Sequence, residues 1–455
     1  MTPDLVPIRL RSVGGATYGE DDGAVTLPSP GGPGVRPGEG PGVRAALLLA
    51  LLALACQPRE RAAGPLPQEA YVWQRAWTPA VREAVGQASD FAGLTVLAAE
   101  VDLSHSPVRA FRVGIDWQAL RRSGRPVGLA LRIGRFQGWG GGTGRFADDP
   151  ETVRRLADLA GTLAREARSH GFAPREIQLD YDCPESKLAD YPVLVKAVRE
   201  TVAPAPVTIT ALPTWLRQQR AFRKLSRSTD GVVLQVHSLR TPSRPGEQID
   251  LVDPGEAVRA VEEAAKAGRP FRVALPTYAY GAVFDRRGNV VGLSTERAGT
   301  EVAADPDAMA ALVRRWTADR PPELAGLVWY RLPVASETRN WPRATLDAVM
   351  AGRAPRREVR TALRRPSPAL VEIDVLNTGE AEIPLPSPVD LRWDSDRLIA
   401  ADGLSGYRLL ASGPREARLE SPSLSRTLRP GERRTIAWLR FQGPAEVHVE
   451  IPASP

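Results

Sequence analysis

Two acids close an otherwise apolar segment running from Glu176 to Glu185, "EIQLDYDCPE". Side chains alternate along a strand, so Gln178, Asp180 and Asp182 share one side while Ile177, Leu179 and Tyr181 line the other. Same-face neighbours lie about 6.6–7 Å apart at Cα, which does not separate retaining from inverting geometry in sugar hydrolysis. Two carboxylates this close resist joint ionisation, so one would hold its proton and serve as a general acid. Carboxylates beside aromatic platforms suit a saccharide cleft: a pyranose stacks its C–H face on Trp or Tyr, while the acids bond its hydroxyls or move protons. The structural alternative is that Asp180 and Asp182 cap loops or pair with Arg132 and Arg331.

Strand-like and helix-like segments alternate around these acids. Strand candidates begin at Ala70, Gly93, Pro126, Glu176, Val207, Gly231, Phe271 and Leu324. Amphipathic helices separate most of them, several opening on a capping residue followed by proline, as in "TPAVREAVGQA", "DPETVRRLADLAGTLAREARSHG", "DPGEAVRAVEEAAKAG" and "DPDAMAALVRRW". Eight strand–helix units over residues 70–355 predict a closed (β/α)8 TIM-like barrel, with the second unit interrupted by an irregular insertion at 102–124. Chemistry in such a barrel gathers at the C-terminal ends of the strands. Asp180 and Asp182 belong there by this reading, with Trp73, Arg75, Glu100, Arg132, Arg135, Trp215, Gln235, His237, Tyr278, Trp329 and Arg331. From about Arg356 helical periodicity gives way to short alternating strands and turn signals, so residues 356–455 are expected to form a small all-β sandwich.

A composition of 43% hydrophobic and 25% charged residues is that of a globular protein. The formal charge of +7 comes mostly from arginine, with Lys187, Lys196, Lys224 and Lys266 the only lysines. No basic stripe interleaved with aromatics accompanies it, which argues against nucleic acid as a partner. Arg44 precedes an apolar run from Ala45 to Ala55, too short to span a bilayer and ending at Cys56. That pattern predicts a signal peptide with a lipobox over 43–56, lipidation of Cys56, and a place in the cell envelope, with Gln57 favouring the outer membrane. An ordinary cleaved signal peptide is the alternative. Residues 1–42 are low in complexity or precede the true start, and 57–69 read as a linker. With Cys56 lipidated, Cys183 has no disulfide partner.

The remaining motifs are weaker. "GRFQGWGGGTGRF" lacks the Gly-Lys-Ser/Thr ending of a phosphate loop and reads as a lip on the barrel mouth, with Trp139 closing over a ligand. His237, Asp180 and Asp182 have no metal-ligand spacing, His105 lies in a Pro-flanked loop, and no GxSxG elbow supports a serine nucleophile. Neither metal nor cofactor is expected. Arg132, Arg135 and Arg331 either face the cleft and favour an anionic sugar or pair with the aspartates.

The segments "IQLDYDCP", "ITALPTWL", "VLQVHSL", "FRVALPTYAYG" and "GLVWYRLPV" resemble those of domain-of-unknown-function family 3142, over nearly all of residues 70–352. Their order is more distantly similar to chitinase-like (β/α)8 glycoside hydrolases. That resemblance implies that Asp180 and Asp182 match the acidic motif of the fourth strand and Trp329 the aromatic floor. The proton-donating Glu of those enzymes falls on Pro184, with Glu185 one residue further, and Val236, His237 and Ser238 replace their strand-six Tyr and acid. Either Glu100, Asp182 or Glu185 donates the proton, or the barrel only binds. The sequence thus supports two functions, a carbohydrate-active enzyme and a non-catalytic saccharide-binding or scaffold lipoprotein.

Overall fold

The computed structural model describes residues 60–103, 109–134, 144–237, 247, 250–285, 290–294, 300–394, 397–421 and 427–452. Cys56 and the signal segment, His105, Arg135 and Trp139 lie outside them.

Eight parallel strands form the barrel: β1 (Gln68–Val72), β2 (Leu94–Asp102), β4 (Val127–Ile133), β5 (Ile177–Tyr181), β6 (Val207–Ala211), β7 (Gly231–Gln235), β8 (Phe271–Pro276) and β12 (Leu324–Tyr330). Each pairs with the next, and β1 closes the ring by pairing with both β12 and β2. Strand β3 (Arg109–Arg112) runs antiparallel along the upper half of β2, beyond the end of β1. Strands β9 (Ala279–Phe284), β10 (Val290–Ser294) and β11 (Thr300–Ala303) form a separate antiparallel sheet after β8.

The helices start where the capping residues place them. Thr78, Asp149, Asp253 and Asp305 accept backbone N–H bonds at the starts of α1 (Pro79–Gly86), α3 (Pro150–Ser169), α6 (Pro254–Ala265) and α7 (Pro306–Ala318). Proline follows each cap, where its missing N–H has no intrahelical role. Asp116 caps α2 (Trp117–Ser123) within the interrupted second unit. Between β5 and β7 lie α4 (Tyr191–Val202) and α5 (Gln219–Ser228), and α8 (Arg343–Met350) ends the barrel. Among the described residues no helix is long and apolar enough to cross a membrane.

Alternation sorts the barrel into two packed layers. Leu129, Leu131, Ile177, Leu179, Ile209, Leu234, Val273 and Leu327 pack outward in the large core shared with the helices. Tyr71, Trp73, Leu97, Ala130, Val233, Ala274 and Val328 fill the interior. At the lower end Glu69 and Glu176 are buried against Arg175 and Arg272: Arg175 reaches Glu69 at 2.5 Å, and Arg272 reaches Glu176 at 2.5 Å and also pairs with Glu69. Thr95 and Thr208 complete the shell of Glu176. One layer higher, the Tyr71 hydroxyl donates to Gln178 at 2.7 Å.

The C-terminal part is a sandwich. One sheet orders β13 (Val359–Ser367), β14 (Leu370–Asn377), β21 (Arg433–Phe441) and β17 (Leu398–Gly403); the other orders β18 (Arg408–Gly413), β19 (Glu416–Glu420), β16 (Val389–Trp393) and β22 (Val447–Glu450). A short ladder pairs β15 (Ile383–Pro384) with β20 (Thr427–Leu428). Val371, Ile373, Leu391, Leu419, Leu439 and Phe441 meet in one core between the two larger sheets. Arg357 bonds Asp307 at 2.7 Å and Arg429 bonds the Asn340 carbonyl at 3.0 Å, fixing the sandwich against the barrel.

Candidate functional site

Asp180 ends the inward row of β5 above Gln178 and is almost wholly buried. Both its oxygens are engaged. Arg132, opposite it on β4, donates to Oδ2 at 2.6 Å; Thr210 of β6 and Gln235 of β7 donate to Oδ1 at 2.8 and 3.3 Å. Arg132 also approaches Asp182 at 3.6 Å, and Asp182 is about half exposed. The Asp180 charge raises the Arg132 pKa against the opposing effect of burial, so this guanidinium stays charged. Glu100 is bound by Arg75, whose Nη2 donates at 2.8 Å.

Aromatic rings close around this polar ring. Trp73 meets Tyr330 edge-on at 5.3 Å, and Tyr278 meets Tyr330 at 5.5 Å. His237 stacks on Tyr330 at 5.7 Å with 18° between the planes. Burial pushes the His237 pKa down to about 4, although Asp180 pulls it upward. Burial likewise raises the Tyr330 phenol above its ordinary range, keeping it a neutral hydroxyl.

The structure thus brings Asp180, Asp182, Glu100, Trp73, Arg132, Gln235, His237 and Tyr278 to one rim. Trp215 and Trp329 require correction as ligand-binding residues. Trp329 follows inward-facing Val328, so alternation turns it outward; it is fully buried, donates to the Gln68 side chain at 2.9 Å and lies 6.3 Å from Trp341. Tyr330, one residue on, takes the inward place. Trp215 sits in a 3-10 turn, Pro213–Gln218, buried against Tyr191 with its indole N–H on the Cys183 carbonyl at 2.9 Å. Arg331 turns aside to Glu337 at 3.2 Å, a carboxylate shared with Gln74 and Asn340. Glu185 opens the 3-10 turn Glu185–Lys187 leading to α4. Cys183 is buried, which pushes its thiol up to about 12.

Two residues of the site escaped sequence reasoning, Thr210 and Tyr330. Thr208 and Thr210 recur at strand period in "VTITAL", a legible sign of a polar inward face. A separate cleft of about 300 Å3, lined in part by Glu83, Trp341, Arg343, Arg429 and Pro430, lies at the seam between barrel and sandwich. The rim is the stronger site, since it alone of the two gathers Asp180, Asp182 and His237.

Fold and site define a closed (β/α)8 barrel with a charged, aromatic mouth. Within it, residues 145–335 match the profile described as Domain of unknown function (DUF3142), and residues 360–442 of the sandwich match Domain of unknown function (DUF8456). No curated protein matches the sequence. Among solved structures, a chitinase from Bacillus thuringiensis is 10% identical, with 84% of this chain and 100% of that one covered at a TM-score of 0.42. The spore cortex-lytic enzyme of Bacillus cereus is 10% identical over 64% of this chain and 75% of its own, at 0.45. A GH18 chitinase of Flavobacterium johnsoniae is 10% identical over 64% and 94%, also at 0.45.

Proposed function

We propose that the barrel mouth binds a neutral saccharide without hydrolysing it. The observation behind this reading is the Asp180 carboxylate, held by Arg132, Thr210 and Gln235 at once. A general acid must bring a free carboxyl oxygen with its proton to the leaving group, and both oxygens of Asp180 are already taken by these donors. Glu100 is likewise held by Arg75, and Asp182 lies beside Arg132. Pro184 occupies the position where the resemblance puts the proton donor. The rings of Trp73, Tyr278 and Tyr330 supply apolar surface for sugar C–H faces, and the paired charges supply hydroxyl partners. Arg132 and Arg331 already face Asp180 and Glu337, which favours a neutral ligand over an anionic one. The expected location is the cell envelope, anchored through Cys56, a reading carried by residues 43–56 alone.

Titration calorimetry against a glycan panel, with product analysis of every mixture, tests the proposal. Binding with no new reducing ends is expected. Cleavage that disappears in Asp182→Asn would overturn it in favour of a glycoside hydrolase.

A further inference from the structure

Four side chains lie in one register row across four neighbouring strands. Phe111 of β3 is the Cα partner of Glu100 on β2, Glu100 of Arg132 on β4, and Arg132 of Asp180 on β5. Directly opposed residues point to the same face of a sheet, so the row is continuous over the mouth. Arg112 fixes the orientation independently: it pairs with Glu166 of α3, on the helix side, and alternation then sends Phe111 to the other side. Phe111 is 63% exposed, the most exposed large apolar side chain among the described residues.

We infer that Phe111 is the outer stacking platform of an elongated saccharide site, which makes the ligand an oligosaccharide rather than a single sugar. This rests on the saccharide reading of the mouth. Three strand spacings separate Phe111 from Asp180, about 14 Å along the row. That span is longer than one pyranose ring. One end of the ligand lies over Asp180 and the rings of Tyr330 and Trp73, its middle hydroxyls meet Arg132 and Glu100, and its other end stacks on Phe111. An exposed phenyl ring at the end of a charged row offers the C–H face of a sugar the apolar surface that water cannot. The irregular insertion after β2 thereby gains a purpose, since β3 carries the platform along the edge of β2 that β1 leaves free.

The test is calorimetry of the full chain with β-1,4-linked glucose and N-acetylglucosamine oligomers, from monomer to pentamer. Affinity is expected to rise with length in the unaltered protein. Phe111→Ala should remove about tenfold of the affinity for the longer oligomers and leave the monomer unchanged, while Phe111→Trp restores the gain. Melting temperature should be indifferent to either change, because so exposed a residue contributes little to folding. Oligomers that bind Phe111→Ala as tightly as the unaltered protein would overturn the platform and spare the saccharide reading. Failure of every oligomer to bind the unaltered protein would overturn both.

Discussion

Arg132 donates a 2.6 Å hydrogen bond to Asp180 across the β4–β5 pair, and the two residues are also register partners. The bond joins adjacent strands at the level where the barrel opens. Removing Arg132 leaves a buried carboxylate with only Thr210 and Gln235. Breaking a fully buried ion pair costs about 3–5 kcal/mol; partial exposure of Arg132 lowers the expected loss for Arg132→Ala to about 2–3 kcal/mol. Urea unfolding measures it. A loss below about 0.5 kcal/mol would show that the pair contributes nothing to the fold.

His237 should make stability depend on pH. Its folded value is pushed down to about 4, below the ordinary 6.5 or so, because burial disfavours the charged imidazolium. Between these values the unfolded chain binds the proton and the folded one does not. The contribution is therefore present at neutral pH and is lost as pH falls through about 6.5 towards 4, by at most about 1.4 kcal/mol per pH unit. The difference in stability between the unaltered protein and His237→Asn should shrink over that window. A difference that stays constant would place the His237 value near its ordinary one.

The strands and helices of the barrel were readable because each carries local physics that tertiary structure did not override. Asp-Pro at three helix starts is a capping residue followed by the one residue that needs no N–H there. Asp180 is readable because a buried strand rarely ends in acids without partners, and Arg132 is among the partners the sequence offers. The orientation of Trp329 is not readable, because a parallel barrel strand is apolar on both faces and its sequence does not reveal which parity points inward. Glu100 shows a second obstacle. A register shift between Leu97 and Ala99 reverses the alternation of β2, and only because of it do Leu97 and Glu100 face the same way. Strand β3 was hidden by its length, four exposed residues with no periodic signal.

The charge cluster under the barrel should behave as one unit. Burial pushes the Glu176 carboxyl up, but Arg272, Arg175 and Thr208 hold it below its ordinary value. Arg272 bridges Glu176 and Glu69, so Arg272→Met strands two buried carboxylates with Arg175 alone nearby. A loss of about 3–5 kcal/mol is expected. Guanidinium melts of Arg272→Met and of Arg272→Met with Glu176→Gln separate the effects, since neutralising Glu176 should recover part of the loss. If the double variant were less stable than the single one, uncompensated charge would not be the cause.

Neighbouring aromatics on β12 should divide cleanly between folding and binding. Trp329 is fully buried between barrel and helices, with its indole N–H on Gln68, so Trp329→Ala opens a large cavity and orphans a polar group. The expected loss is about 3–5 kcal/mol of stability. Tyr330 instead meets Trp73, Tyr278 and His237 at the rim. Tyr330→Ala should weaken oligosaccharide affinity about tenfold or more while folding cooperatively. Trp329→Phe keeps most of the buried ring volume and should leave affinity intact at a smaller stability loss. Chemical melts and calorimetry on the three variants decide the assignment. Affinity lost in Trp329→Phe but kept in Tyr330→Ala would mean that the outward ring reaches the ligand, and that the inward parity of Val328 and Tyr330 does not define the binding face.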